Sequence, residues 1–597
     1  MGQWTRIAAL AAWLVVCGAV DPAHSAKPAT APPSFGELIE VNVVNVDVQV
    51  TDRDGRRVTD LRQDDFEVFE DGKRVKVTNF DVVRVETEPP PASPASSTAP
   101  EPVFSDRPPE GRPHLIVYVD NLNLDPVHRT RVLGQLRQFL KARPSETRVM
   151  LVTNNLGLKV RVPFTSDQAA LDAGLRQIES LPARGATAEA DRRTTVRQIL
   201  EIRAALMPIE GPCGRSMTQP AFSYSESVRH EMLTAIEAMT VLINSLSGLP
   251  ERKALLYVSD GIPAVPGEEV FQVLVEICSG GTASGIKDVA DPDLEQAQSG
   301  LPQYRGREAL LDVQRFSIVN DLNRLASHAN ANRVTLYMLQ ASGLRGTASS
   351  DAGFDFDDRL LQNPAISFVQ TTNLQHSLTL LASETGGRVI LNANDVTADL
   401  QKMQDDLGSY YSLGYVPEHS RDGRIHKIEV RVKRPGLRVH HRKSYRDKPA
   451  IELAVDRTLA AVYHGFEDNP LDVTIETGRQ TPAEEQKFHL PIRLRIPLFK
   501  LGIFPQQDQS YRGRLRLLVS TRDEKGDVSP IRQVVVPLQI PREDILYAMG
   551  KFYEYELTLT LPKGTQHVAI TVRDEGTDTS SVLSRTFEVG VGGTAAK

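Results

Sequence analysis

Residues 114–126 read HLIVYVDNLNLDP. An apolar run of this length, closed by an acid and followed by proline at the first turn of a helical pattern over 126–140, predicts a buried strand running into a helix. The same rhythm recurs downstream. Residues 148–153, 254–258, 334–339 and 388–391 are strand-like, and helical stretches separate them, the longest at 225–246 and 308–329. Strands alternating with helices imply a doubly wound (Rossmann-like) α/β domain, a parallel sheet covered on both faces. The Met and Leu stripes of the long helices read as core.

Outward from this block the periodicity changes to two. Upstream, residues 39–51 alternate apolar and polar, with a phase slip between Val43 and Val44 that reads as a β-bulge. Asp54-Gly55 and Asp71-Gly72 are hairpin-type turns beside the alternating stretches 66–69 and 75–80. These features predict a small β-domain over 37–86, joined by a Pro-rich linker, 87–113, to an α/β domain over 114–446. Downstream, 487–496, 514–519, 534–540, 553–561, 567–572 and 585–589 alternate again, which predicts an antiparallel sandwich over 450–592, immunoglobulin or fibronectin type III in style. Residues 207–224 and 280–307 read as irregular insertions. A third, 343–369, carries Asp351, Asp355, Asp357 and Asp358, which lack the alternate-ligand pattern and terminal Glu of a hand-type calcium loop and read as a solvated loop.

A chain of 597 residues exceeds one core, and a prior of roughly 150 residues per domain asks for three or four. The net charge of -7, with no long basic run, excludes the electrostatic footprint of nucleic-acid binding. Residues 1–26 read as a signal peptide: Arg6, a short apolar run over 7–20, then small residues at Ala23, Ser25 and Ala26. A lipoprotein signal using Cys17 and an uncleaved anchor are the alternatives. No later segment predicts a transmembrane span, so the mature chain is expected in the periplasm or outside a Gram-negative-type cell. Export would leave Cys213 and Cys278 where thiols oxidise; they are disulfide candidates or two free thiols, and a bond would contribute roughly 4 kcal/mol on the chain-entropy model.

A strand ending in Asp120, a later one ending in Ser259-Asp260-Gly261, and a Gly185-Ala186-Thr187 loop between them resemble the von Willebrand factor A (VWA) family. More specifically, VNVVNVDVQVTDRDGRRVTDLRQDDFEVFEDGKRVKVTNF from Val41, LASETGGRVILNANDVTADL from Leu381, and YYSLGYVPEHSRDGRIHKIEVRVKRPGLRVHHRKSY from Tyr410 resemble the VWFA-related proteins of acidobacteria and similar bacteria. The resemblance spans about residues 37–446. It implies a protein-binding or adhesion role and a metal-ion-dependent adhesion site, in which Asp120, Thr187 and Asp260 would be ligands. The family's Asp-x-Ser-x-Ser loop here reads DNLNLDP, with Leu122 and Leu124 at the hydroxyl positions. A degenerate site for Mg2+, Mn2+ or Ca2+ would need Asn123 or Asp125 as substitutes. The other reading is that Asp120 and Asp260 cap loops and helix N-termini.

Enzymatic motifs fail on spacing. His230-Glu231 begins a zinc-protease pattern, but Thr234 stands where the second His belongs. Residues 281–285 (GTASG) place the serine one position late for a nucleophile elbow, and no phosphate-cradling Gly-Lys-Ser/Thr loop exists. The expectation is a non-enzymatic protein that engages a protein or an envelope polymer; a structural envelope scaffold and an unrecognised hydrolase are the alternatives.

Overall fold

The computed structural model describes residues 43–84, 113–144, 147–155, 157–182, 184–210, 215–250, 252–278, 306–344, 363–484 and 486–590. The signal-peptide and linker expectations, the acidic run over 351–358 and Cys213 lie outside these residues.

The N-terminal strands are β1 (Val44–Thr51), β2 (Phe66–Glu70), β3 (Lys73–Val75) and β4 (Val77–Arg84). The α/β layer follows with β5 (His114–Asp120), α1 (Pro126–Ala142), β6 (Arg148–Asn154), β7 (Leu158–Thr165), α2 (Gln168–Ser180), α3 (Gly185–Glu210) and α4 (Thr218–Leu246). It continues through β8 (Lys253–Ser259), α5 (Glu268–Cys278), α6 (Gly306–Val313), α7 (Val319–Ala331), β9 (Val334–Gln340), α8 (Pro364–Thr385), β10 (Val389–Ile390) and α9 (Thr397–Gly408). These strands form one six-stranded sheet in the order β10-β9-β8-β5-β6-β7, parallel except for the antiparallel edge strand β7.

The central strand explains itself. All of HLIVYVD is buried, because alternate residues feed two different cores. Leu115, Val117 and Val119 pack with α1, α2 and α9, whereas Ile116 and Tyr118 pack with α4, α7 and α8. A strand buried on both faces needs apolar residues at every position, and this one has them.

The β-strands on either side of this layer do not separate as the sequence suggested. β11 (Ser409–Tyr415), β12 (Ile425–Val432), β13 (Arg438–His440) and β14 (Ser444–Arg446) pair with the N-terminal strands to give sheets of order β13-β1-β11-β4 and β14-β12-β2-β3. Val46, Val48, Phe66 and Val68 share one core with Tyr411, Leu413, Ile428 and Val430. The partition into a free-standing 37–86 domain and an α/β domain reaching 446 is therefore corrected. A few short strands cannot bury an apolar face alone, and their partners arrive more than 300 residues later. The bulge also moves: β1 begins at Val44 and pairs with β11 in unbroken register, while the shift falls at Gly414/Tyr415 against β4.

The insertion expected over 207–224 is helical in its described part: α3 runs to Glu210, and a helical turn over Arg215–Met217 leads into α4. Gly185-Ala186-Thr187, expected as a loop, opens α3. Inward residues Ile199, Val270, Phe271 and Ala309 from α3, α5 and α6 build a satellite core with Met217 and Ala221, so these helices form a cap beside the sheet.

α10 (Ala450–His464) was not legible as a helix, since its alanines and apolar residues fall on more than one face. It is the wedge between layers. Ala460 joins the α/β core, while Ala461 and Val462 pack on Ala569 and Val582 of the C-terminal sheet. A Cβ on Gly248 would lie 2.2 Å from the Asp456 carbonyl oxygen, so only glycine lets α10 approach the end of α4.

The C-terminal strands are β15 (Thr474–Thr477), β16 (Thr481–Pro482), β17 (Lys487–Pro497), β18 (Phe504–Pro505), β19 (Ser510–Asp523), β20 (Arg532–Pro541), β21 (Phe552–Pro562), β22 (Gly564–Asp574) and β23 (Ser580–Val589). β17 carries β15, β16 and β21, and β19 carries β18, β20 and β22, with β23 beyond. Leu490, Ile492 and Leu494 of one sheet meet Leu517, Ile570 and Val572 of the other. Two antiparallel sheets therefore face each other across one core.

The β-layer is held to the parallel sheet by a buried polar knot at Asp406, on the last turn of α9. Arg388 donates to it from Nη2 at 3.0 Å, Arg57 lies 3.8 Å away, and Arg252 and Gln49 donate to its backbone carbonyl at 2.9 and 3.2 Å. Removing one partner of a buried ion pair strands the other. Asp406→Ala is expected to cost about 3 kcal/mol in chemical denaturation; a loss below about 1 kcal/mol would show that the knot contributes nothing.

Candidate functional site

The strand order places β5 between β6 and β8, so the chain leaves β5 toward one edge and returns on its other side as β8. Loops after such neighbouring strands diverge, and the crevice outside their carboxyl ends is where open α/β sheets place ligands. Asp120 closes β5 and Asp260 follows β8.

The sheet brings these two acids to one rim, and the loop over 121–125 spans them. Asn123 donates from Nδ2 to Asp120 Oδ2 at 2.9 Å, and its carbonyl accepts from the Asp260 N–H at 2.8 Å. Asp120 is 0% exposed. Its carboxylate accepts from the Tyr257 hydroxyl at 2.5 Å and from the Leu122 N–H at 3.2 Å, and burial pushes it above the ordinary carboxyl range. Asp120 is thus solvated by its own chain. Asp260 accepts from the Asp125 N–H at 2.8 Å and lies 3.0 Å from His128 Nδ1, while Asp125 caps α1 by accepting from the Val127 N–H at 2.8 Å. Leu124 is in the core, and the N–H groups of Arg184 and Gly185 bind the carbonyls of Asn121 and Leu124. That ties the start of α3 to the loop, but Thr187 is exposed on the first turn of α3.

These residues do not fit a magnesium-type ion. One carboxylate is enclosed and bonded to three donors, neither leucine can ligate, and the group facing Asp260 is the His128 imidazole. Hydrogen bonding to Asp260 holds the imidazole above its ordinary pKa. Of the expected ligand set, the rim brings together Asp120, Asp260 and the substitutes Asn123 and Asp125, while Thr187 is exposed on the first turn of α3. The capping reading of Asp120 and Asp260 matches the N–H groups they accept from, those of Leu122 and Asp125, and the cap of α1 itself is Asp125.

What lies at the rim is a groove of about 390 Å³. The loops after β5 and β8 form its floor, with Asn123, Asp125, Asp260 and Gly261; α1 contributes His128. The helical cap supplies Glu189 and Arg192 from α3, Tyr224 and Glu231 from α4, and Glu269 from α5. Asn373 and Leu374 of α8 close the far wall. Arg192 is 8% exposed, donates to Glu189 at 2.7 Å and also faces the charge of Glu269; among the described residues its enclosed Nε and Nη1 have no hydrogen-bond partner. Burial raises the Glu269 carboxyl, and the Tyr224 hydroxyl reaches it at 3.5 Å. Sequence reasoning missed these cap residues because a search for oxygen ligands passes over His128 and Arg192, and the helices carrying the rest read partly as loop. Cys278 ends α5 and is disulfide-bonded.

A different donor group, Glu70, His419, His426, Asp422 and Asp447, sits in the β-layer. Its imidazoles stack face to face at 3.7 Å with an 11° tilt, each facing its own carboxylates: His419 Nδ1 is 3.0 Å from Asp447 and His426 Nδ1 is 2.9 Å from Asp71. Stacked rings aim their in-plane lone pairs side by side, not at a common point.

No family model and no curated protein matches the chain. Among solved structures, an aerotolerance-related membrane protein from Bacteroides fragilis NCTC 9343, with multiple mutations to serines, aligns at 10% identity and TM-score 0.22, over 49% of this chain and 98% of its own. The conserved hypothetical protein BatB from Bacteroides thetaiotaomicron aligns at 11% and 0.19, over 49% and 98%. A von Willebrand factor type A protein from Catenulispora acidiphila aligns at 8% and 0.20, over 80% of this chain and 66% of its own. Likenesses at these scores carry no argument about function.

Titration calorimetry of the chain with Mg2+, Mn2+ and Ca2+ is expected to give no saturable heat. Asp120→Ala is expected to destabilise by about 3 kcal/mol, because it orphans the Tyr257 hydroxyl, the Asn123 amide and the Leu122 N–H. Saturable heat that this variant abolishes would reinstate the metal. The His128–Asp260 contact raises the folded-state pKa of a histidine, so its contribution is present below the unfolded value and fades as pH rises through the folded one. His128→Ala should lower stability by up to ~1 kcal/mol at pH 5.5 and by less at pH 9. A cost independent of pH in paired melts would contradict the ion pair.

Proposed function

We propose that the chain is an exported, non-catalytic binding protein of the VWFA-related kind, and that the groove at the β5/β8 rim receives a partner protein or envelope polymer without a metal ion. The observation that carries this is the groove itself, about 390 Å³ at the carboxyl ends of β5 and β8, where apolar wall residues such as Val228, Met232, Pro263 and Leu374 alternate with a few convergent polar groups. Three further features support the reading. The groove stands at the switch point of the sheet, where ligands of open α/β folds sit. Its volume falls within the range of ligand sites. Its cap helices α3, α5 and α6 are held to one another and to the start of α4 by their own satellite core. The flanking β-layers then act as the frame that presents this rim. Among the described residues no helix is long and apolar enough to cross a membrane.

Ala188, an exposed residue lining the groove from α3, offers a clean test. Ala188→Trp fills the groove without touching the core. Chemical crosslinking of the full mature chain in native envelope extracts should yield a partner band that Ala188→Trp reduces at least about tenfold, the weight of ~1.4 kcal/mol. A band insensitive to this substitution would place binding on the β-layers and leave the α/β layer as a spacer.

A further inference from the structure

We infer that β21 is a pairing edge to which β21 of a second copy of this chain adds antiparallel, so that two C-terminal sandwiches join about a two-fold axis. This goes beyond the groove and involves none of its residues.

A strand at the border of a sheet offers unpaired N–H and C=O groups, and folded chains blunt such borders by shortness, by proline, by bulges or by covering them. The other borders of this molecule are blunted in these ways. Several, among them β3, β10, β13 and β15, have only two to four residues. β20 carries Pro537, β7 carries Pro163 and two register shifts against β6, and β4 meets a register shift at Gly414/Tyr415 of β11. The long β23 is closed by the backbone of Asp468, which exchanges N–H and carbonyl bonds with Val582.

β21 has none of these devices. Its 11 residues, Phe552–Pro562, stay in unbroken register with β17, and no proline interrupts them before the last. Among the described residues no other strand or loop backbone pairs with them. Tyr553, Tyr555, Leu557 and Leu559 pack on the sandwich core but are only partly buried, whereas Leu490, Ile492 and Leu494 of the neighbouring β17 are buried. A strand laid along β21 would finish covering that row.

The occupant that fits this edge is the edge itself. The antiparallel register that overlaps all 11 residues of two copies is centred on Leu557, which then faces its own counterpart. On the inner face this register sets Tyr553 against Leu561 and Tyr555 against Leu559, aromatic against aliphatic. On the outer face it sets Glu554 against Thr560 and Glu556 against Thr558, so no acid meets an acid. Centring on Tyr555 or Glu556 would set glutamate against glutamate. Within each copy Arg495 lies 3.2 Å from Glu554 and Arg493 lies 2.6 Å from Glu556, so neither acid stands as a bare charge at the border. A two-fold pairing of this kind is self-complementary and closes at two copies.

The test is the sedimentation-equilibrium mass of the full mature chain from about 1 to about 100 μM, for the native sequence, Thr558→Glu and Thr558→Lys. Thr558 is exposed, and its cross-strand neighbour within one copy is Pro491, so either change leaves the single chain's fold intact. Across the two-fold axis it meets Glu556. The native chain should reach two-chain mass by the top of the range. Thr558→Glu should weaken association at least about tenfold and Thr558→Lys should leave it equal or tighter, with the melting temperature of the dilute chain unchanged in both. Hydrogen exchange of the native chain gives a second readout, since N–H groups along β21 should gain protection as the chains associate. One-chain mass throughout the range would overturn the inference. So would association indifferent to both substitutions, association weakened alike by both, mass growing past two chains, or β21 amides that exchange no more slowly in the associated state.

Discussion

A carboxylate with no access to water must be solvated by protein, and the rim of this molecule is organised around that requirement. Asp120 terminates the central strand, 0% exposed, and burial penalises its charge. Its acceptors are met from the neighbouring strand by Tyr257 and from the following loop by Leu122 and Asn123. Fixing Asn123 sets the position of Asp260 through its N–H, and Asp260 in turn binds the N–H of Asp125, the cap of α1. One buried acid therefore dictates the path of the 121–125 loop, the start of a helix and the floor of the groove.

The same loop determines which group faces Asp260. Hydroxyl ligands leave room for a hydrated cation at such a rim, whereas Leu124 turns inward and packs in the core. The loop is drawn down by that burial, and His128, one turn into α1, stands against Asp260. Charge at the rim is thus balanced within the polypeptide.

The groove is as much a product of the cap as of the sheet. α3, α5 and α6 carry their own small core, and the polar residues they turn toward the rim come from segments whose helical character is hidden by Pro, Gly and Ser nearby. The β-layer contributes at a distance. Strands from both ends of the α/β layer close on one another, and the Asp406 knot joins them to the sheet. A rim held from below by such packing presents a preformed surface, which lowers the ordering cost of binding.

Periodicity alone was enough to identify the parallel sheet, its strands and the C-terminal sandwich, because a strand buried on both faces, such as 114–120, has no other way to be written, and because a half-buried strand must alternate. The resemblance to the VWA family, and not the periodicity, put Asp120 and Asp260 at one rim. Three things were decided only in three dimensions. The pairing of residues 44–84 with 409–446 depends on apolar faces that neither segment can cover locally, and a pattern of period two does not name its partner. α10 depends on contacts with two layers at once, so no single apolar stripe marks it. The chemistry of the rim depends on which group reaches Asp260 first, and His128 and Arg192 acquire their roles from neighbours far along the chain. Local sequence sets what each segment must bury; the choice of what it buries against, and of which charge then faces water, belongs to the tertiary fold.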